Sequence, residues 1–189
     1  MSWDHPWAES ALPLDQDHPP VAIVPPVPTD PAALRGMFAQ HPDGITAVAA
    51  CPDGATPVGM VVTSFSVGIS FDPPLVLFSA QSSSRTWRQL AGASRLGVSV
   101  LAAQHAVAVR QLASRSGDRF AGIDIHRTES GAVFVDGARL WLECSIYSET
   151  EVGDHRLVLL EVHSASSHRT AAPLIYHDHQ TLVLDTEPG

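Results

Sequence analysis

Hydroxyl side chains and one arginine lie together in the run Ser82-Ser83-Ser84-Arg85-Thr86-Trp87. A helix is predicted to begin in this run, so hydroxyls, a guanidinium and free helix N-terminal N–H groups converge in one segment. Such groups bind anions, phosphates above all. The alternative interpretation is that Ser83 or Ser84 only caps the helix, as serines often do. The segment therefore predicts either an anion site or a plain helix cap.

Every basic residue of the 189-residue chain is an arginine. The 11 arginines stand against 20 Asp and Glu residues, which gives a formal charge of −9. Without lysine there is no P-loop of the GxxxxGK type and no Schiff-base nucleophile. A phosphate must then be bound by arginine, hydroxyls or backbone N–H groups. The acidic balance also argues against binding to a nucleic-acid backbone.

Two of the ten histidines, His177 and His179, are spaced like neighbours on one face of a strand. Such a pair is a conceivable metal site, although only Asp178 adds a carboxylate at a ligand-like spacing. The competing interpretation is that these are ordinary core or surface histidines.

Cys51 and Cys144 are far apart and belong to no CxxC motif. We expect two free, buried thiols in a reducing compartment. The N-terminal residues lack the basic and apolar regions of a secretory signal. No apolar run reaches the roughly 18 residues that a membrane-spanning helix needs. These features predict a cytoplasmic protein without a membrane segment.

Proline is concentrated at the N-terminus, where eight of the 15 prolines fall within the first 31 residues. Because helices and sheets both exclude proline from their interiors, residues 1–29 are predicted to form an extended arm before a domain of residues 30–189. Trp3 and Trp7 can pin this arm to a surface. The alternative is a disordered tail.

The domain is predicted to begin with a helix, with Asp30 as N-cap and Pro31 at the first helical position. Leu34, Met37 and Phe38 recur at helical spacing and predict one buried face.

Short β-rich runs separated by Pro, Gly and Asp turns follow this helix. Strands are expected at Ile45–Cys51, Pro57–Ser64, Pro74–Ala80, Leu96–Leu101, Arg139–Ser148, Arg156–Ser164, Pro173–His177 and Thr181–Leu184, with helices at Ser83–Ala93 and Gln104–Ser114. Residues 151–154 have the composition of a hairpin turn. Strands and helices do not alternate regularly and there is no GxGxxG motif, so an antiparallel barrel with peripheral helices fits better than a doubly wound sheet.

Seven short motifs occur in order along the chain. They are Gly59-Met60-x-x-Thr63-Ser64-Phe65, Asp72-Pro73-Pro74-Leu75-Val76-Leu77, Ser84-x-Thr86-Trp87, Asp118-Arg119-Phe120-Ala121-Gly122, Trp141-Leu142-Glu143-Cys144, Gly153-Asp154-His155 and Pro173-Leu174-Ile175-Tyr176-His177. In this order they resemble the flavin reductase-like family, whose members have the FMN-binding split β-barrel. The resemblance covers most of the chain, from about Leu34 to His177.

The resemblance implies roles for particular residues. Val62, Thr63, Ser64 and Phe65 would line the isoalloxazine, largely through backbone groups; Ser79 would face the ribityl chain; Ser84, Arg85 and Thr86 would hold the flavin phosphate; and His155 would lie near the nicotinamide. The same likeness implies a mainly β split barrel and an NAD(P)H:flavin oxidoreductase that uses FMN or FAD with NADH or NADPH. It further implies a homodimer that supplies a flavin-dependent monooxygenase.

Two other functions remain open. One is a binding module that holds flavin or haem on the same barrel without efficient NAD(P)H oxidation. The other is a metal protein based on His177 and His179.

The chain departs from the family pattern in two places. One additional residue lies between Phe65 and Asp72, which predicts a bulge or a slipped loop there. In the turn at His41–Gly44, Asp43 stands where the family mostly has threonine, and an acidic side chain there can alter which flavin or substrate fits.

Overall fold

The computed structural model describes residues 26–114, 116–168 and 171–184. Most of the predicted N-terminal arm, with Trp3 and Trp7, lies outside these residues. Residues 26–29 belong to no helix or strand. The chain divides after Arg35 into two units, so a domain boundary after residue 29 stays a prediction.

The second unit is built on a seven-stranded sheet in which every neighbouring pair is antiparallel, in the order β3-β2-β6-β9-β10-β5-β4. Its strands are β2 (Thr46–Ala50), β3 (Val58–Val62), β4 (Ser66–Phe71), β5 (Pro74–Gln81), β6 (Leu96–Val100), β9 (Leu140–Val152) and β10 (His155–Ser167). This arrangement, together with the few helices, confirms the predicted mainly β split-barrel class.

The described residues also form two smaller sheets and a few helices. β1 (Asp43–Gly44), β11 (Leu174–His177) and β12 (Gln180–Val183) form one sheet, and β7 (Ile125–Arg127) pairs with β8 (Val133–Val135). The helices are α1 (Pro31–Phe38), α2 (Arg85–Leu90), α3 (Ala108–Leu112) and a 3-10 turn at Ala103–His105.

Strand β2 is buried along its whole length because both of its faces contact a core. Val48 and Ala50 belong to one cluster with Phe78 and Trp87, whereas Ala47 and Ala49 belong to a second cluster. Side chains alternate between the two faces of a strand, so this five-residue strand joins both cores. The second core is completed by residues of α3, β8 and β11.

The predicted hairpin at residues 151–154 is confirmed. β9 and β10 are each 13 residues long and pair directly, with His155 opposite Val152. Gly153 lies in the turn with φ of 60°, where glycine carries no steric penalty.

The bulge expected from the additional residue before Asp72 is also present. Ser66 pairs with Leu77 but Ser70 pairs with Leu75, so four steps along β4 match two along β5. The sequence had predicted only a loop or bulge here, because the exposed run Ser66–Phe71 lacks the buried alternation of a core strand.

The structure confirms the predicted cap of the first helix but corrects its predicted buried face. Asp30 caps α1 as expected, since its carboxylate accepts hydrogen bonds from the N–H groups of Ala32 and Ala33. The predicted buried face is wrong, because Met37 and Phe38 are 52% and 67% exposed. Periodicity identifies an apolar face but does not show whether another element covers it.

The helix predicted at Gln104–Ser114 is also corrected. Instead of a continuous helix, the structure has a 3-10 turn, then a break at residues 106–107, and then α3. His105 holds the 3-10 turn in place, because its Nδ1 accepts the N–H of Ala102. This contact anchors the turn to the end of the preceding strand, ahead of the break. No helix among the described residues is long and apolar enough to cross a membrane.

Candidate functional site

A cavity of about 730 Å³ opens beside the N-terminal end of α2. All three predicted phosphate-binding residues, Ser84, Arg85 and Thr86, form part of its wall. Met60 and Val61 of β3 also line it, immediately before the predicted flavin-lining residues Val62–Phe65. The structure therefore brings the predicted phosphate segment and the end of β3 to one cavity.

The segment that carries these side chains is anchored by Trp87. Its indole is buried, meets the ring of Phe78 edge to face at 5.2 Å, and donates from Nε1 to the carboxylate of Glu149 at 3.3 Å. Arg156 in turn pairs with Glu149 and with Glu151. These contacts tie α2 to the β9–β10 hairpin and hold the cavity wall in place.

Ser84 serves as the helix cap that the sequence left as an alternative. Its Oγ accepts the N–H of Trp87 at 3.1 Å. A hydroxyl that accepts in this way still has its own O–H to donate. Capping and anion binding are therefore compatible at Ser84.

Arg85 and Arg119 are the two cations at this cavity. No carboxylate of the described chain pairs with Arg85, which is exposed. Arg119 donates to the backbone oxygen of Gly59 and is held beside β3. Because a guanidinium carries five N–H donors, both side chains retain donors for an anion.

Thr63, Ser64 and Phe65 lie between β3 and β4, outside the ladders of both strands. Backbone polar groups in such a segment need partners other than a neighbouring strand, so they are available to a ligand. The side chain of Val62 is buried in the core and that of Phe65 packs against it. Any contact that Val62 makes with a ligand must therefore come from its backbone.

Ser64 and Ser79 form a hydroxyl pair. Ser64 Oγ accepts the backbone N–H of Ser79 at 2.9 Å and lies 2.9 Å from Ser79 Oγ. The pair continues the contact between the β4 side and β5 beyond their first ladder pair, which is Ser66 with Leu77. Neither serine lines the cavity, so the structure places them next to its β3 wall and not within it.

His155 also lies beside the cavity. It pairs with Gln81, which lines the cavity, and the adjacent Asp154 accepts the N–H of Ser82 through its backbone oxygen. His155 Nδ1 is 2.7 Å from a carboxylate oxygen of Asp154. That hydrogen bond lowers the pKa of Asp154 below its usual value. It leaves Nε2 of His155 without a partner among the described side chains.

The strand-face arrangement that made His177 and His179 a conceivable metal pair is absent. His177 ends β11, but Asp178 and His179 adopt φ of 48° and 60° in the turn that follows, so the two histidines do not share one strand face. Over the described ranges, no three His, Cys, Asp or Glu side chains gather closely enough to hold a metal.

Both cysteines are free and buried, as predicted. Burial raises the pKa of the Cys144 thiol to about 12, so it stays protonated and does not act as a nucleophile.

Sequence reasoning missed several residues of this cavity, above all Gln81, Gln89 and Arg119. Arg119 belongs to the motif Asp118–Gly122, and its position in that motif was the one available signal. Gln81 and Gln89 gave no signal, because an exposed glutamine looks the same in any sequence.

Comparison with known proteins decides the family. The profile of the flavin reductase like domain matches residues 38–184, more than three quarters of the chain. The chain belongs to the flavin reductase-like domain family. The matched residues include the whole cavity and every predicted site residue.

Individual members of this family are similar over most of their length. A flavin reductase of Pseudomonas putida is 32% identical over 78% of this chain and 86% of its own. The reductase subunit HsaB of a flavin-dependent monooxygenase from Rhodococcus jostii is 33% identical over 78% of this chain and 75% of its own. The solved NADH:FAD oxidoreductase SgcE6 of Streptomyces globisporus, in complex with NAD and FAD fragments, is 32% identical, with a TM-score of 0.77 over 85% of this chain and 96% of its own.

Proposed function

We propose that this chain is an NAD(P)H:flavin oxidoreductase that transfers hydride from NADH or NADPH to FMN or FAD. The observation that carries the proposal is the cavity at Ser84–Thr86, in a chain whose family match spans residues 38–184. The similar proteins named above are a flavin reductase, a reductase subunit and an NADH:FAD oxidoreductase.

The residues at the cavity fit a flavin phosphate. Arg85 supplies a cation without an acidic partner in the described chain, and Ser84 and Thr86 supply O–H donors beside it. Charge-assisted hydrogen bonds of this kind are the strong contacts by which proteins bind phosphate. Since the chain has no lysine, an arginine must carry the positive charge.

The isoalloxazine and ribityl parts of the flavin would be held mainly by backbone groups. The backbone of Val62–Phe65 would donate and accept along the isoalloxazine edge. The paired hydroxyls of Ser64 and Ser79, which lie beside the cavity, would face the ribityl chain. When bound, the flavin supplies the hydride chemistry itself. The protein therefore needs no general base, only groups that position the two cofactors.

His155 is assigned the nicotinamide side of the site. Asp154 holds the imidazole through Nδ1, which orients the ring and leaves Nε2 for a hydrogen bond to the nicotinamide nucleotide. In this role His155 is a positioning residue.

The proposed assembly is a homodimer that supplies reduced flavin to a monooxygenase. β4 is an edge strand of the large sheet, and its Val67, Ile69 and Phe71 are exposed. Exposed apolar edge strands are normally covered, and a second copy of the chain is the cover proposed here.

The proposal of a monooxygenase partner is supported by relatives such as HsaB, which is the reductase subunit of a flavin-dependent monooxygenase. The cytoplasm is the proposed location, because two free buried thiols suit a reducing compartment.

The experiment compares Arg85→Ala with Arg88→Ala, which removes the same charge from the same helix but lies outside the cavity. We expect Arg85→Ala to raise the KM for flavin in steady-state NADH oxidation by roughly tenfold, the size of one lost charge-assisted contact. Arg88→Ala should change it less than about twofold.

Equal effects of the two variants would contradict the phosphate assignment. If the wild-type protein binds flavin but oxidises neither NADH nor NADPH, the binding-module alternative is correct instead. If it binds no flavin at all, the proposed function is wrong.

A further inference from the structure

A second cavity of about 450 Å³ lies next to the first. The two share Thr86, Gln89 and Arg119 as wall residues, so one continues into the other. The far walls of the second cavity come from two segments, Thr56–Gly59 and Ser116–Asp118. FMN ends at its single phosphate, so FMN with that phosphate at the proposed site, Ser84–Thr86, would leave the second cavity empty.

The shared wall has the charge that a second phosphate needs. Arg119 is half-buried, lines both cavities, and is fixed at one end by its hydrogen bond to the backbone oxygen of Gly59. Its remaining N–H donors would be available to an anion that spans the two cavities. Thr86 adds a hydroxyl to the same wall.

The far wall has a different polarity. Asp118 lines the second cavity, and its Oδ1 accepts the N–H of Phe120 at 2.9 Å, which fixes the carboxylate in place. A carboxylate repels phosphate but accepts hydrogen bonds from ribose hydroxyls. Arginine at the junction and aspartate beyond it therefore suit a diphosphate followed by a ribose.

On the strength of this geometry, and resting on the proposed function, we infer that the flavin of this chain is FAD, with its diphosphate at Arg119 and its adenosine in the second cavity. The first cavity then holds the flavin half, and the adenosine ribose donates to Asp118. The larger contact gives FAD a higher affinity than FMN.

The test is a binding titration of the wild-type protein with FMN and with FAD, followed by fluorescence. FAD should bind about tenfold more tightly than FMN. Adenosine monophosphate should compete with FAD and leave FMN binding unchanged, because only FAD occupies the second cavity.

A pair of variants tests the position of the adenosine. Thr56 and Ala55 are both exposed in one turn, but only Thr56 lines the second cavity. Thr56→Trp should weaken FAD binding by about tenfold and leave FMN binding unchanged, whereas Ala55→Trp should alter neither.

Equal wild-type affinities for FMN and FAD would overturn the inference and leave the proposed function intact. So would an equal loss of both flavins in Thr56→Trp. Absence of binding by either flavin would overturn the proposed function as well.

Discussion

Within the described residues, Asp154 and His155 form one of the two histidine–aspartate contacts that are shorter than 3 Å. His155 Nδ1 lies 2.7 Å from Asp154, and His126 Nε2 lies 2.7 Å from Asp136. In both pairs the hydrogen bond from the histidine lowers the pKa of the aspartate. Each interaction is present above the ordinary aspartate pKa and is lost as the pH falls through the lowered pKa of the folded protein.

We predict that His155→Ala raises the pKa of Asp154 toward its ordinary value, because the hydrogen bond to the carboxylate is lost. The pKa is measured by NMR titration of the Asp154 carboxyl. His126→Ala is the matched control, and it should raise the pKa of Asp136 while leaving that of Asp154 unchanged. An Asp154 pKa that does not respond to His155→Ala would contradict the hydrogen bond and the orienting role of Asp154.

Single residues of the site were predictable only where their type is unusual. Ser84, Arg85 and Thr86 stood out because hydroxyls and an arginine coincide at a helix start, and the structure places all three at the cavity. His155 was expected near the nicotinamide, and the structure gives its position beside Gln81 without testing that role. The metal alternative at His177 and His179 depended on a shared strand face, which Asp178 and His179 break by adopting left-handed φ angles that residue type does not reveal.

The packing of β6 against β8 depends on one glycine. A Cβ placed on Gly97 would lie 2.1 Å from the backbone oxygen of Val133. Backbone atoms of a neighbouring strand cannot yield as a flexible side chain can, so alanine must displace β8 from the second core.

Gly97→Ala is therefore expected to lower the free energy of unfolding by about 3 kcal/mol, as overpacking of a core does. Chemical denaturation measures this change. In Gly92→Ala the new Cβ would meet its nearest atom at 3.6 Å, so the free energy should change by less than about 1 kcal/mol. Similar effects of the two substitutions would show that β6 and β8 do not approach as closely as described.

Element predictions succeeded where burial follows the sequence pattern. Apolar runs such as Ile45–Cys51 and Pro74–Ala80 matched β2 and β5 to within a residue or two at each end. β4, β7 and β8 were missed, because β4 is exposed and the other two strands have three residues each. Alternation of apolar residues cannot identify strands that are exposed or so short.

For the whole molecule, the fold class was predictable from the sequence, but the order in which the strands pair was not. Irregular alternation of strands and helices pointed to an antiparallel, mainly β fold, which the seven-stranded sheet confirms. The order of its strands depends on contacts between residues far apart in the chain, such as β5 with β10, and local sequence contains no direct signal for them. The seven motifs, through resemblance, predicted the split-barrel class but not this order.

Charge also acts at this scale. With a formal charge of −9 the molecule does not attract anionic nucleotides over long distances. The cavity must therefore capture its ligands locally, through Arg85 and Arg119 and the hydroxyls beside them. The absence of lysine makes those two arginines the permanent cations of the site.

The activity proposed for this molecule is hydride transfer from a nicotinamide nucleotide to a flavin. The most direct measurement is the visible absorption spectrum of the protein with added FAD, before and after NADH or NADPH under anaerobic conditions. We predict that the flavin bands bleach rapidly, and only when the protein is present. Flavin bands that persist with both nucleotides would contradict this activity.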